Sequence, residues 1–278
     1  MLVFFNAVSG GKVFTKTNFN TLFNEAFSLL IVTYALIFVM AQGKNDMSLG
    51  GVVALAAALA AHASSISGNL VLPVALLVGL LCGLLNGLIV TEFRIDSFIA
   101  TIAMSFILKG FVELLLQSGV QSIPIKMIML DSQQLKITVA LVFGIISFIL
   151  FKYTMFGKHC RAIGSRLEVC RQSGVRVKLV QYGSYVFTGL ASGAANIGTA
   201  SNLEFNALQA LMLGGVLITG GSSVKFRSAV IGSITMAALA NGMTLWGVET
   251  LTQQLIKGFI FLIVIALTFE RKSVEVIK

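Results

Sequence analysis

The chain has 278 residues, 56% of them hydrophobic and only 11% charged, with a mean hydropathy of +0.93. Soluble domains carry about 25% charged residues, so a water-soluble globular fold is excluded, and the lack of polar–apolar alternation gives no support to a membrane barrel. The net charge of +9 sits at the ends of apolar runs and in one central stretch. There it orients a chain in a bilayer and meets anionic headgroups, which argues for a lipid bilayer and not for nucleic acid.

Met1–Val8 is apolar but far shorter than the ~20 residues that cross a bilayer. It lacks the basic start of a cleavable signal peptide, and Gly10–Asn20 is polar. Nine apolar segments follow: Leu22–Ala41, Met47–Ala63, Asn69–Val90, Ser97–Leu116, Leu135–Phe151, Leu179–Ala200, Leu208–Thr219, Ser228–Trp246 and Leu251–Phe269. The spacing predicts an all-α polytopic bundle of about nine spans in a single transmembrane domain. Met47–Ala63 and Leu208–Thr219 are short for a ~30 Å hydrocarbon core at ~1.5 Å per residue.

Between the fifth and sixth segments lies Phe156–Lys178, FGKHCRAIGSRLEVCRQSGVRVK. With Lys152 it holds seven of the twenty Lys and Arg residues against one acid, Glu168. The positive-inside rule puts this island on the cytoplasmic face. Ser165 and Glu168 have capping-box spacing, and Gly174 can take the left-handed conformation that ends a helix. A two-turn helix over about Arg166–Ser173 is therefore expected, as a docking feature. Alternation from that island puts Lys44, Arg94, Lys225, Arg227 and the Arg271/Lys272 tail inside, and Glu249 outside.

The nine segments contain an echo. Ala238–Leu245 (ALANGMTL) repeats Gly83–Val90 (GLLNGLIV), and each is followed by Lys-Gly in the next span, at Lys109-Gly110 and Lys257-Gly258. The Asn86 span runs inward and the Asn241 span outward, the arrangement of an inverted-topology repeat. The halves divide as 1–134 and 135–278, with Leu135–Phe151 left without a partner. A five-plus-five plan would lack its first span.

Gly-interrupted short segments in corresponding halves point to a transport pathway. They open at Gly43–Gly51 and at Met212–Gly215 with Gly220-Gly221. Asp46 and Ser48 are pathway candidates, and capping of the following helix is the reading that ranks ahead of that role. Asn86 and Asn241, polar within apolar spans, face protein or cavity. Gly79, Gly83 and Gly87 form a tandem small-residue motif for close helix packing. Lys109 and Glu113 are four apart and could pair, and Lys257 is near enough to its span's end to snorkel. Cys82, Cys160 and Cys170 do not read as a disulfide framework, and His159, Cys160 and Cys170 fall short of a metal-ligand set. No phosphate-cradling loop, H-E-x-x-H or G-x-S-x-G occurs. No catalytic residue, cofactor or metal is expected, and energy would come from a partner.

At these residues the chain resembles the membrane permease subunit of ribose/galactose-type ABC importers. Phe156, Gly157, Ala162, Ile163, Gly164, Glu168, Arg171, Ser173 and Gly174 follow that family's central motif. Asp46, Ser48 and Gly50 match its G-G-I-D-L-S-V-G-S, and Asn241-Gly242 with Gln253–Gly258 match N-G…Q-Q-I-V-K-G. The motifs lie in order from about Phe14 to Glu270, although Lys44-Asn45, Asp96-Ser97 and Ser165-Arg166 depart from the pattern. The resemblance implies ten spans in the family plan and a second permease copy or paralogue. It also implies ATP-binding subunits below, an extracytoplasmic substrate-binding protein above, and residence in a bacterial cytoplasmic membrane. It makes Gly157, Gly164, Ser165, Glu168, Arg171 and Gly174 the ATPase-coupling residues. The expected function is passage of a small polar solute, foremost a monosaccharide. A self-contained carrier or channel, or a non-transporting partner of a complete permease, are the alternatives.

Overall fold

A computed structural model describes residues 5–7, 10–117, 133–195 and 203–268. Among these residues the regular elements are all helical: α1 (Lys16–Met40), α2 (Leu49–Ser64), α3 (Val71–Thr91), α4 (Ser97–Gln117), α5 (Gln133–Lys152), α6 (Met155–Ser165), α7 (Leu167–Gln172), α8 (Val177–Ala195), α9 (Leu203–Leu213), α10 (Phe226–Leu245) and α11 (Thr250–Thr268). The expected segments reappear, with two larger shifts: α1 starts at Lys16 instead of Leu22, and α9 starts at Leu203 instead of Leu208 and ends at Leu213 instead of Thr219; the expected ends at Ala200 and Phe269 lie outside the described residues.

α1 is the central post. Thr15 Oγ1 accepts from Asn18 N at its start (3.4 Å), and Gly43, with φ 72°, turns the chain away beyond its end. Val32, Ala35, Ile37, Phe38 and Met40 have no exposed surface; a helix apolar all round belongs inside a bundle. The Phe38 ring lies 5.3, 5.4 and 5.2 Å from the rings of Phe151, Phe156 and Phe187. Each such pair contributes about 0.5–1.5 kcal/mol and together they tie α1 to α5, α6 and α8.

α3 and α8 form the closest seam. Gly79 faces the Gly189 carbonyl, Gly83 the Tyr185 carbonyl, and Gly193 the Ala75 carbonyl, a register that makes the two helices antiparallel. Hydrogen bonds of Asn18 with Asn241 and Thr33 with Ser233 set α10 antiparallel to α1 in the same way. The pairings recur between halves. α2 packs on α3 as α9 packs on α10, α3 on α8 as α10 on α1, and α2 on α8 as α9 on α1. The expected division at 134 falls beside residues 118–132, which lie outside the described residues.

Among the described residues, five helices are long and apolar enough to cross a membrane: α1, α3 with the turn before it, α4, α10 and α11. A sixth is α5 if it is joined to α6, to which it is bent by 62°. The remaining three of the nine expected segments are exceptions by length or polarity. α2 has 16 residues and α9 has 11, while α8 carries Gln181, Ser184, Thr188 and Ser192 on its buried face. Such helices persist in hydrocarbon only when neighbouring helices cover them.

Several elements converge at one end of the bundle. Gly221 N donates to Met40 O (2.7 Å), Gly164 of α6 abuts the Ala41 carbonyl, and Lys178 pairs with Glu92 (2.7 Å). The end of α1, the start of α2, α6–α7 and the 214–225 segment therefore share this end, called below the α6–α7 end.

Candidate functional site

The chain between α1 and α2 is not helical, and each of its polar groups is answered by a neighbour. Asn45 N donates to Ser97 Oγ (3.1 Å) and Met47 N to Thr101 Oγ1 (2.9 Å), so α4 satisfies the backbone that a helix would otherwise satisfy. Asp46 is 2% exposed. Its Oδ1 accepts from Ser48 N (3.0 Å) and Ser48 Oγ (2.6 Å), and its Oδ2 accepts from Thr188 Oγ1 of α8 (2.9 Å). Asn86 Nδ2 of α3 donates to Ser48 Oγ (2.7 Å). Asp46, Ser48 and Asn86 are thus brought together, with Thr188 as a fourth member that sequence reasoning missed; a lone Thr on a buried helix face gives no signal. The capping alternative is corrected. Ser48 stands at the N-cap of α2 without a side-chain capping bond: its hydroxyl donates to Asp46 and its oxygen accepts from Asn86 instead of from the helix.

Asn241 is not part of this group. It lies at the opposite end, in a reciprocal amide pair with Asn18 (3.0 and 2.8 Å). The two glycine-rich breaks also differ from expectation. Residues 43–48 precede α2, while 214–225 follow α9, so they are not repeat equivalents. They nevertheless touch, and Asn45 Nδ2 donates to Ile218 O (3.4 Å).

Ser97, Thr101, Ser105 and Lys109 rise along one i, i+4 ridge of α4, which faces the break and then α2. A Cβ on Gly51 would come within 2.9 Å of the Ser105 carbonyl, and one on Gly50 would overlap the Glu204 carboxylate. Lys109 Nζ pairs with Glu204 Oε1 at 2.6 Å, which corrects the expected Lys109–Glu113 pair: Glu204 of α9 reaches across from the other half of the chain. Glu204 is 3% exposed, and its Oε2 has no hydrogen-bond partner; nor does the buried Ser105 Oγ. Lys109 lies about 18 Å along α4 at 1.5 Å per residue, near the middle of a span, and its side chain is 44% exposed. A lysine facing hydrocarbon there costs about 2.5–3.5 kcal/mol, so this face meets water or protein.

At the α6–α7 end the sequence expected one short helix. The structure has two. α6 was missed, although Gly157, Cys160 and Ile163, three apart, form its buried face. Cys160 Sγ accepts from Gln42 Nε2 (3.5 Å), a packing contact with the turn after α1. The capping box is not formed. Ser165 is the last residue of α6, Arg166 takes the N-cap position with extended backbone (φ −151°) and no capping bond, and Glu168 pairs with Arg171 instead (2.8 Å). Gly174 has φ 77° as expected, with Gly174 N donating to Arg171 O and Val175 N to Cys170 O. α7 buries Cys170 and presents Val169, Glu168 and Arg171 outward.

A 980 Å³ cavity opens between α7, the α3–α4 turn and the break, and is lined by Lys44, Arg94, Asp96, Arg171, Arg176 and Lys178. Arg94 holds φ 55°, a conformation that costs a non-glycine residue about 1–2 kcal/mol. Burial pushes the Lys44 ammonium down to about 8, partly opposed by Asp96. The protonated form is disfavoured by the fold, so this penalty is present below pH 8 and is relieved as pH rises from 8 towards 10.5. Lys44 is expected to acylate half-maximally near pH 8 in competitive amine labelling read by mass spectrometry. A Lys44 profile indistinguishable from those of the other lysines would refute this environment.

At the far end a second, 430 Å³ cavity is lined by Asn24, Glu25, Asn206, Gln253 and Lys257, among others. Lys257, expected to snorkel, turns into this cavity near Glu25.

Residues 18–265 match the family model described as branched-chain amino acid transport system / permease component. The chain is 30% identical over 266 residues to the ribose import permease protein of Bacillus subtilis (strain 168), covering 87% of this chain and 82% of that protein. It is 27% identical over 268 residues to the L-arabinose ABC transporter permease protein of Azospirillum brasilense, covering 87% and 77%. Over 123 residues it is 32% identical to the xylose transport system permease protein of Escherichia coli (strain K12), covering 40% and 31%. No solved structure gives a significant match. An all-helical chain with polar broken segments, matched over nearly its whole length, belongs to the permease component family of the branched-chain amino acid transport system type, and is a multi-pass membrane permease.

Proposed function

We propose that this chain is the membrane-spanning subunit of an ATP-driven importer that passes a monosaccharide received from an extracytoplasmic binding protein. It crosses a bacterial cytoplasmic membrane nine times, as halves 1–134 and 135–278, beside a second permease copy or paralogue. Separate ATP-binding subunits dock on 156–178. The ribose, arabinose and xylose for which the relatives are named support the solute class. The seven basic residues of the α6–α7 end support its cytoplasmic side.

One observation carries the mechanism: the polar break and the outward-facing α7 share an end. Gly164 of α6 rests on the Ala41 carbonyl, where α1 turns into the break, so pushing α7 displaces α6 and reorients the Asp46–Ser48–Asn86–Thr188 group. Gly157 lets α6 fold back against the Leu150 and Phe151 carbonyls, and the Glu168–Arg171 pair and Gly174 shape the docking tip.

The test is uptake of labelled ribose, arabinose and xylose by vesicles holding this chain with its ATPase and binding protein. ATP-dependent accumulation is expected, and uptake driven by an ion gradient without the ATPase would overturn the importer reading. Glu168 is 72% exposed on its side chain, so Glu168→Lys should cut uptake at least about tenfold while surface-pair loss costs under about 1 kcal/mol. Unchanged ATP-driven uptake would remove α7 from the coupling path.

A further inference from the structure

We infer that the 980 Å³ cavity at the α6–α7 end holds the phosphate group of an anionic phospholipid of the cytoplasmic leaflet, through Lys44, Arg94 and Arg176. Five cations line this cavity, and they are unequally balanced. Lys178 pairs with Glu92, and Arg171 with Glu168. Lys44, Arg94 and Arg176 stand in no ion pair among the described residues. The acid on the wall is Asp96, whose Oδ1 accepts from Phe98 N and Ile99 N at the start of α4 (3.0 and 3.3 Å). Three unpaired cations against one partly committed carboxylate leave surplus positive charge around an open space. Arg94 and Arg176 are exposed and Lys44 is half-buried, so a ligand entering the cavity meets all three. Arg94 keeps left-handed backbone (φ 55°), which glycine adopts without strain, so the turn retains a guanidinium at a conformational cost. Lys44 and Asp96 are also two of the positions that depart from the motifs described above, which makes this wall a feature of this chain.

Position and lining identify where the phosphate comes from. Glu92 closes α3 and Lys178 is the second residue of α8, so the cavity lies where spans end, at headgroup depth. The rest of its wall includes Val90, Ile95, Leu179 and Tyr182, a poor match for a soluble phosphate ester, which needs polar partners on every side. A phospholipid brings its phosphate to the cations and its apolar part to these residues. Phe93, Ile95 and Leu179 are exposed beside the cations. From the cavity α3 presents Leu88, Leu84, Leu81 and Leu77 on one exposed face, three or four apart and about 16 Å long at 1.5 Å per residue, a track for an acyl chain. Guanidinium groups bind phosphate through paired hydrogen bonds, and basic pockets between spans on the cytoplasmic side take anionic headgroups. The site requires a membrane permease with this end in the cytoplasmic leaflet. It does not require ATP-driven import.

The experiment offers the full-length chain, in neutral detergent, equal amounts of phosphatidylglycerol and phosphatidylcholine and counts bound lipid by native mass spectrometry. The parent is expected to prefer phosphatidylglycerol on the order of tenfold. Lys44→Gln and Arg94→Gly should each cut that preference about fivefold, and the double variant should abolish it. Lys225→Gln, at the same end but outside the cavity, should leave it unchanged. Arg94→Gly should melt no lower than the parent, because its backbone suits glycine, so the lost preference is not lost fold. Equal uptake of the two lipids by the parent overturns the site, as does a preference kept by the double variant or lost equally in Lys225→Gln. Displacement of the lipid by millimolar inorganic phosphate overturns the lipid assignment in favour of a free anion. Displacement on adding the ATPase subunits assigns the cavity to that partner instead. A second readout follows Lys44 itself. Phosphate beside the ammonium favours its charged form, so the acylation midpoint near pH 8 should rise in phosphatidylglycerol micelles and stay in neutral ones. An unmoved midpoint places the headgroup elsewhere and overturns the site, whatever the result for solute uptake.

Discussion

Replacing Asp46 with alanine is expected to destabilise the permease by about 3 kcal/mol or more. The carboxylate receives Ser48 N, Ser48 Oγ and Thr188 Oγ1. Each buried donor left without an acceptor costs about 1–3 kcal/mol, while removal of a buried charge returns part of that sum. Ser48 would also lose its orientation toward Asn86, so the lost contacts reach α3 and α8 as well as the break. Asp46→Asn should cost far less. Its one oxygen still accepts from Ser48, and its amide can donate to Thr188 Oγ1, which keeps its own bond to Tyr185 O (2.9 Å). Thermal unfolding of the detergent-solubilised protein distinguishes the two. A melting point for Asp46→Ala within about 2 °C of the parent would show that the network does not hold the break.

The apolar runs that define α1, α3, α4, α10 and α11 were legible in sequence because a bilayer leaves the backbone little choice but helix. The end of α7 was legible for the same kind of local reason, since Gly174 tolerates the left-handed turn. What local pattern misled was a contest between neighbours. Ser165 has the spacing of a cap, but α6 runs through it, so its backbone is helical and the cap position falls to Arg166. α9 was placed too late because Glu204 and Asn206 look like loop. They are tolerated inside because Lys109, distant in sequence, arrives beside Glu204. That pair is illegible to any local reading: α4 offers Glu113 at ideal helical spacing, and only the packing of α2, α4 and α9 decides between the two acids. The signal that could have found it is the single acid at the start of an otherwise apolar stretch, which in a membrane demands a cation. Asn86 and Asn241 show the reverse error. Their motifs match, yet Asn86 meets the break and Asn241 meets Asn18, because sequence likeness fixes a position in the repeat and not the neighbour across from it.

The Gly79, Gly83 and Gly87 motif should prove unequal when each is changed to alanine. A Cβ on Gly83 collides with the Tyr185 carbonyl and lies 2.9 Å from Val186 Cα, and one on Gly79 collides with the Gly189 carbonyl. These are backbone atoms of α8, which cannot turn aside, so α3 and α8 must separate. Overpacking of this kind costs about 1–3 kcal/mol, and the upper end is expected at both Gly79 and Gly83, which meet backbone at similar range. At Gly87 the new methyl meets the Tyr182 ring at 2.9 Å, and a ring can rotate, so Gly87→Ala should be the mildest of the three. Gly189 faces Gly79 across the seam, and each would carry its Cβ into the other's carbonyl. Once one substitution has spread the helices, the second finds the space open. The double variant should therefore cost less than the sum of the singles, the sign of coupled neighbours; strict additivity in unfolding midpoints would show that the seam is not in contact. The same spreading carries Asn86 of α3 and Thr188 of α8 away from Ser48 and Asp46. Uptake should accordingly fall further in Gly79→Ala and Gly83→Ala than in Gly87→Ala even at temperatures where all three variants remain folded, because the seam that holds the bundle together is also the wall that holds the break.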